Sequence, residues 1–281
     1  MDASAYLKQV KAKTIYLNHL QKQSYIDYGC ATTRTTGGAG STEDLADGAT
    51  FTSCEEVTCA RANPCAPKPP APVVSGSFYF SGAAAYLRVE NDADFNVGSA
   101  DFTVEWYQKM AVDTGTATRI FSIGSFPTAE FALTFESSKV FVWVDSYLYL
   151  LGTIGGVVGT WVHMALVRVG GNISFYLNGL AIGSAVPVPT NITNGSYPLI
   201  IGAEQPTDSP GTVYYKGNIT NFHFVNGVAL YVADFVPPAM PLSPQPESIL
   251  LMLAQSNAPT ADSSGKNHDA VSVGVTWSSA T

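Results

Sequence analysis

The chain has 281 residues, of which 46% are hydrophobic and 11% aromatic but only 13% charged, against about 25% charged in an average soluble domain. With 25 glycines and 17 prolines, this composition favours short strands joined by turns over helices. The net charge of −8 at pH 7 argues against a general nucleic-acid-binding surface, and no run reaches the ~18 apolar residues that a membrane-spanning helix needs.

Residues 1–28 are predicted to form a basic helical arm, because apolar residues such as Tyr6, Val10 and Leu17 recur every three to four positions. Residues 1–40 hold five basic and two acidic residues, whereas the rest of the chain holds nine basic and twenty acidic ones. A basic arm before an acidic body predicts docking on another molecule, and a solvated helix face is the alternative. Lysines and glutamines interrupt the arm, so we expect no secretory signal and synthesis in a cytosol.

Residues 29–74 are predicted to be a linker that contains a Gly- and Thr-rich stretch, a cysteine cluster and the Pro-rich spacer PCAPKPPAPVV. The disulfide candidates are Cys30, Cys54, Cys59 and Cys65. This segment has few apolar residues to bury, which favours disulfides, although the sequence does not choose among the three pairings. A zinc site and free thiols are the alternatives, but the C-x2-C spacing typical of zinc sites is absent.

Residues 75–281 are predicted to be one β domain built from many short strands. In DFTVEWYQKM, Phe102, Val104 and Trp106 alternate with their neighbours, as expected for a strand with one buried face. Asn178-Gly179 in NISFYLNGLAIGSAV predicts a tight hairpin, because both residues accept positive φ angles. We expect SILLMLAQS to be a buried strand and the alternating run 271–277 to lie beside the first strand near residues 78–80; the start of a second domain is the alternative.

Several ordered motifs resemble laminin-G-like, concanavalin-A-like jelly rolls. They are SGSFYFSGAAAYLRVENDADFNVGSADFTVEWYQK, TWVHMALVRVGGNISFYLNGLAIGSAV and PLIIGAEQ followed by YYKGNITNFHFVNGVALY. The resemblance implies a mainly β fold, a two-sheet antiparallel jelly-roll sandwich preceded by the N-terminal arm. A fold of this kind does not by itself assign a function.

Catalysis is not expected from the sequence. Glucanases of this fold carry an E-x-D-x-x-E strand that holds their paired carboxylates, and no such strand occurs here: Glu105 stands alone in DFTVEWYQKM. No G-x-S-x-G elbow occurs, and His163, in an otherwise apolar strand, is expected to be a packed, hydrogen-bonded histidine. We therefore predict a protein that is not an enzyme, with a glycoside-hydrolase-like enzyme as a remote alternative.

The resemblance suggests calcium as the one cofactor to consider, since related laminin-G and pentraxin folds bind it at the sheet rim. The candidate ligands are Asp92, Asp94, Asp101, Glu204 and Asp208. Clustered carboxylates and carbonyl oxygens suit calcium, but Asp-rich turns are ordinary in β proteins, so the alternative is that no metal binds.

Tyrosines are the candidate glycan-binding residues, because exposed aromatic rings stack on sugar faces in lectins of this fold. The candidates are Tyr147, Tyr149, Tyr214 and Tyr215. The alternative is that these rings pack within the strands. Sequence triplets for N-glycosylation begin at Asn172, Asn191, Asn194 and Asn218, which exceeds the ~2 triplets expected by chance only slightly.

The start MDASAYLKQVKAKTIYLNHL resembles the short arms of minor virion proteins of large double-stranded DNA viruses. This resemblance implies a minor capsid or capsid-surface protein, anchored to other capsid proteins through residues 1–70 and displaying a lectin-like domain on the virion. The alternative is a carbohydrate-binding adhesin at an extracellular surface. Neither alternative involves nucleic acid or a membrane span.

Overall fold

The strands form where β-branched and aromatic residues alternate, as the sequence predicts. The computed structural model describes residues 76–113, 115–124, 129–204 and 213–279. Its strands are β1 (Ser77–Ser81), β2 (Tyr86–Val89), β3 (Phe102–Met110), β4 (Thr118–Ile123), β5 (Phe131–Glu136), β6 (Lys139–Val144), β7 (Tyr147–Thr153), β8 (Val162–Val169), β9 (Asn172–Leu177), β10 (Leu180–Ala181), β11 (Val186–Pro187), β12 (Leu199–Ile201), β13 (Lys216–Asn226), β14 (Ser248–Met252), β15 (Ala270–Val273) and β16 (Thr276–Ser278). A 3-10 turn, Ala93–Phe95, lies between β2 and β3.

Two antiparallel sheets pack face to face. The nine-stranded sheet has the order β10-β9-β8-β3-β13-β1-β16, with β11 also paired to β9 and β14 to β13. The seven-stranded sheet has the order β15-β2-β12-β4-β5-β6-β7. The predicted fold class, a mainly β two-sheet jelly-roll sandwich, is therefore confirmed.

The core between the sheets is rich in aromatic rings that meet edge to face. Phe102 of β3 packs against Phe131 of β5, with ring centroids 5.3 Å apart, and Phe121 of β4 packs against Phe222 of β13 at 6.0 Å. Trp106 is fully buried, and its Nε1 donates to Gln108 Oε1 at 2.8 Å. Because edge-to-face pairs stabilise a core beyond their buried area, these contacts hold the two sheets in register.

The predicted hairpin at Asn178-Gly179 joins β9 to β10. Both residues have positive φ angles, +50° and +79°, as the turn requires. A Cβ atom on Gly179 would lie 1.9 Å from the carbonyl oxygen of Phe235, so the position also needs glycine for close approach of another segment.

The C-terminal run completes the sandwich beside the first strand, with Trp277 opposite Phe78. The single alternating run predicted over 271–277 is wrong in one respect, because Gly274 divides it into two strands. β15 pairs with β2 in the seven-stranded sheet, whereas β16 pairs with β1 in the nine-stranded sheet. Gly274 has a φ of +62° and packs against the backbone of Ala84, which allows the chain to cross between the sheets.

The predicted arm at 1–28 and linker at 29–74 lie outside the described residues, so their boundaries stay predictions. The disulfide candidates Cys30, Cys54, Cys59 and Cys65 lie there as well. In the part of the chain that the structure describes, no helix has the length and apolar character that crossing a membrane would require.

Candidate functional site

A long connection lies on the outer face of the nine-stranded sheet. β13 and β14 are antiparallel neighbours, a pair that two residues can join, yet residues 227–247 connect them. We call this segment the strap. Leu230 N donates to Thr103 Oγ1 at 2.9 Å, and Phe235 N donates to Gly179 O at 2.9 Å. The strap is thus fastened both to β3 and to the β9–β10 hairpin.

Aromatic rings of the strap bury part of this outer face. Tyr231 and Phe235 stack on each other with centroids 3.5 Å apart, and Phe235 packs against Tyr176 of β9 at 5.4 Å. Ala165 and Val167 of β8 lie in the same apolar cluster. Side chains that point away from the core of the sandwich are therefore buried beneath the strap.

A buried carboxylate, Glu105 of β3, lies beneath the strap. Its Oε1 lies 2.8 Å from His223 Nδ1, and its Oε2 lies 3.0 Å from His163 Nε2 and 2.7 Å from the Tyr231 hydroxyl. Burial raises the pKa of this carboxyl, but the hydrogen bonds from His163, His223 and Tyr231 outweigh it and lower the pKa from 4.5 to about 2. Since an ionised carboxylate can only accept, all three partners donate to it.

Ser248, His223 and Glu105 lie in the hydrogen-bond order of a nucleophilic triad, because His223 Nε2 is 2.6 Å from Ser248 Oγ. However, Ser248 is only 1% exposed, and its Oγ also accepts the backbone N–H of Gln245 at 2.7 Å. A substrate carbonyl has no access to this hydroxyl. We therefore assign the network a structural role, and the prediction that His163 is a packed, hydrogen-bonded histidine is confirmed.

A second polar cluster lies at the sandwich rim, where Asp92 caps the 3-10 turn by accepting the Asp94 N–H at 2.9 Å. Ligand atoms of Asp92, Asp94 and His268 all lie within 4.8 Å of one another. Asp94 Oδ2 lies 3.2 Å from His268 Nε2 and 3.4 Å from Lys266 Nζ. Burial raises the pKa of Asp94, but its hydrogen bonds to His268 and Lys266 produce a net lowering.

This rim cluster does not fit calcium well. Calcium takes about six to eight oxygen ligands, whereas Asp94 here faces an imidazole nitrogen and an ammonium group. Of the other predicted ligands, Asp101 accepts the Gly170 N–H at 2.8 Å and Glu204 lies 3.3 Å from Arg119 Nη2. Asp208 lies outside the described residues. Among the described residues, the sequence therefore predicted two members of the rim cluster, Asp92 and Asp94, but not His268.

The outer face of the seven-stranded sheet carries a different cluster, centred on Trp143 of β6. Val142 and Val144 point into the core, so Trp143 between them points outward, where it is half-buried. The guanidinium carbon of Arg119 lies 5.7 Å from the centroid of the Trp143 ring. Leu148 of β7 pairs opposite Trp143 and is 48% exposed.

Arg119 connects the tryptophan to polar groups. Its Nη1 donates to the hydroxyl of Thr134, and its Nη2 contacts Glu204 Oε1. Burial lowers the pKa of Arg119, although Glu204 acts in the opposite direction. We call this surface the Trp143 face. Its aromatic ring lies beside Arg119 and Thr134, which are both buried, and near Glu204, whose side chain is 13% exposed.

The comparisons with known proteins agree with this architecture. Residues 81–231, more than half of the chain, match the laminin-G family model of the concanavalin A-like lectin/glucanases superfamily. The chain belongs to this superfamily. No curated protein matches the chain.

Solved structures with this superfamily's fold are similar to the chain at low sequence identity. A candidate carbohydrate-binding protein from Bacteroides ovatus has 16% identity and a TM-score of 0.60, over 74% of this chain and 60% of its own. A SAP-like pentraxin from Limulus polyphemus has 19% identity and a TM-score of 0.46, over 57% and 80% of the two chains. The chain thus spans about three fifths of the Bacteroides protein, and its likeness to that protein shows the fold alone.

The four tyrosines predicted to bind glycans differ in their exposure to solvent in this concanavalin A-like sandwich. Tyr147 is 63% exposed at the start of β7, whereas Tyr149 and Tyr214 are half-buried. Tyr215 is fully buried against Phe80, with ring centroids 5.8 Å apart, so its prediction as a sugar-stacking residue is wrong. The sequence reasoning missed Trp143, although its position between two core valines in KVFVWVD is a readable signal.

The glycosylation triplets also differ in environment. Asn172 and Asn191 are exposed. Asn194 and Asn218 are half-buried, and their amide nitrogens donate to Asp92 O at 2.7 Å and to Ser77 Oγ at 3.0 Å. The exposed pair is therefore better placed for modification.

A small cavity of about 130 Å³ lies near the turn between β5 and β6. Met110, Phe135 and Val157 line its apolar part. The carboxylate of Asp113, also in its lining, accepts the Ser138 hydroxyl at 3.0 Å. This volume is far below the ~300 Å³ at which ligand pockets begin, so we assign it no ligand.

Proposed function

We propose that the domain is a non-enzymatic carbohydrate-binding module that holds a sugar at the Trp143 face. The observation that carries the proposal is the half-buried Trp143 ring next to Arg119, Thr134 and Glu204. Membership of a lectin-containing superfamily supports it, as does the fold shared with the candidate carbohydrate-binding protein of Bacteroides ovatus.

Sugar recognition needs two kinds of surface at once. The apolar face of a pyranose stacks on an aromatic ring, while its hydroxyl groups exchange hydrogen bonds with polar side chains. Trp143 supplies the ring, and Glu204, whose side chain is 13% exposed, supplies an acceptor, while the buried Arg119 holds the two in place. Exposed Leu148 and Leu150 extend the apolar surface along β7.

Hydrolysis of a bound glycan is not part of this proposal. Retaining glycosidases need two carboxyl groups about 5–5.5 Å apart. In the described portion of the Trp143 face, Glu204 supplies the carboxylate, and it is paired with Arg119 at 3.3 Å. A carboxylate held in an ion pair is poorly suited to act as acid or nucleophile.

The test is binding of the full chain to a glycan array, followed by affinity measurement on the best ligand. We expect Trp143→Ala to weaken binding at least about 10-fold, because it removes the stacking surface. Tyr79→Ala is the matched control, since Tyr79 is an exposed aromatic residue on the other sheet and should leave binding unchanged. Equal effects of the two variants, or no glycan bound by the wild type, would refute the proposal.

We also propose, from the sequence alone, that the module is displayed on a virion through residues 1–70. The uneven charge, basic in residues 1–40 and acidic beyond them, together with the Pro-rich spacer, favours an anchoring segment. Deletion of residues 1–50 should then abolish incorporation into particles, while the truncated chain still binds its glycan. Unchanged incorporation would favour the alternative, an adhesin at an extracellular surface.

A further inference from the structure

We propose that the strap opens as a unit separate from the sandwich, and that the Tyr231–Glu105 contact is the latch that keeps it closed. This inference does not depend on glycan binding. It rests on the contacts by which residues 227–247 cover the buried carboxylate.

The strap is attached by contacts of its own rather than by the main core. Its rings Tyr231 and Phe235 belong to a small apolar cluster that is distinct from the large core between the sheets. The Leu242 N–H donates to Asn221 Oδ1 at 2.7 Å, and the Ala181 N–H donates to Asp234 Oδ1 at 3.0 Å. Loss of these contacts would leave both sheets paired and the large core intact.

The latch is the one hydrogen bond from the strap to the buried ion. The Tyr231 hydroxyl donates to Glu105 Oε2 at 2.7 Å, while the other donors, His163 and His223, belong to β8 and β13. Hydrogen bonds to a charged group are worth about twice as much as those between neutral groups. The strap therefore stays closed most firmly while Glu105 is ionised.

Hydrogen exchange of the full chain, resolved by residue or peptide, tests the proposal. At pH 7, and after correction for intrinsic rates, the amides of Leu230, Phe235 and Leu242 should lose protection together. The amides of Phe121 and Ile201, in the seven-stranded sheet, should keep theirs. Loss of protection at the same rate in both groups would show global unfolding and would overturn the proposal.

Tyr231→Phe removes the latch hydroxyl and keeps the ring on Phe235. We expect this variant to speed exchange of the strap amides at pH 7 by at least about 10-fold, the effect of losing one hydrogen bond to a charged group. The control is Tyr176→Phe, which loses a hydroxyl from a ring that also packs on Phe235 but does not contact Glu105. Equal strap exchange in the two variants would reject Tyr231 as the latch.

Discussion

Side chains alternate in the same way on the two outer faces of the sandwich, but one face is covered by a further segment and the other is exposed to solvent. On the nine-stranded sheet, Glu105 points away from the core and is nevertheless 2% exposed, because the strap lies over it. On the seven-stranded sheet, Leu148, opposite Trp143, is 48% exposed. Alternation fixes the direction of a side chain, whereas a connection distant in sequence decides whether that direction leads to solvent.

The difference also separates the structural chemistry of the covered face from the binding chemistry that we propose for the Trp143 face. A charge under a cover is stable only when every hydrogen-bonding group around it is paired, and the contacts of Glu105 approach that condition. On the other face Arg119 is also buried, at 4% exposed, but the Trp143 ring 5.7 Å from it is half-buried and Leu148 beside that ring is exposed. The covered face thus buries its charge completely, whereas the Trp143 face keeps an apolar surface open to the ligand that we propose for it.

The largest expected effect on stability is that of removing the carboxylate at the centre of the covered face. Glu105→Ala removes the acceptor of His163, His223 and Tyr231 and leaves three buried donors unpaired. We expect a loss of about 3–5 kcal/mol in the free energy of unfolding, measured by urea denaturation. Glu136→Ala, an exposed carboxylate at the end of β5, is the control and should leave the midpoint unchanged. A small loss for Glu105→Ala would mean that water replaces the carboxylate under the strap.

A smaller effect is expected where the strap meets the hairpin. Gly179→Ala combines a φ of +79° with a Cβ only 1.9 Å from Phe235 O, so both the turn and the strap must shift. The control is Gly171→Ala, which has a similar φ of +83° but no atom within 4 Å. We expect Gly171→Ala to cost about 1 kcal/mol and Gly179→Ala clearly more, as measured by thermal unfolding. Equal costs would show that strain in the turn, rather than contact with the strap, is the reason for glycine.

The fold was largely predictable because its signals are local. Alternation in DFTVEWYQKM and the Asn178-Gly179 dipeptide predict β3 and the β9–β10 hairpin, and the structure confirms both. The split of the last run at Gly274 was missed, because periodicity continues through a glycine even when the chain changes sheet. The strap was missed for a related reason: irregular segments have no period that reveals what they cover.

The candidate site was less predictable than the fold, because its members meet only in three dimensions. Asp94 and His268 are 174 positions apart, and Arg119 and Glu204 are 85 apart. Neighbouring tyrosines gave a misleading signal, since Tyr214 is half-buried while Tyr215 is sealed in the core. Residue type suggested stacking, but strand direction decided which ring reaches the surface.

The smallest expected effect concerns the rim cluster, where removal of divalent cations should change nothing. The Trp143 face includes neither Asp92 nor Asp94, and Lys266 already supplies a positive charge at 3.4 Å from Asp94. We therefore expect glycan affinity of the full chain to be the same with EDTA as with calcium, and unchanged by Asp94→Asn. A loss of binding in EDTA that calcium restores would instead place the sugar at the rim and make its carboxylates ligands of a bridging ion. The chelator experiment thus sharpens the contrast between the Trp143 face, for which we propose recognition through an aromatic ring, and a rim where Asp94 already lies beside Lys266 and His268.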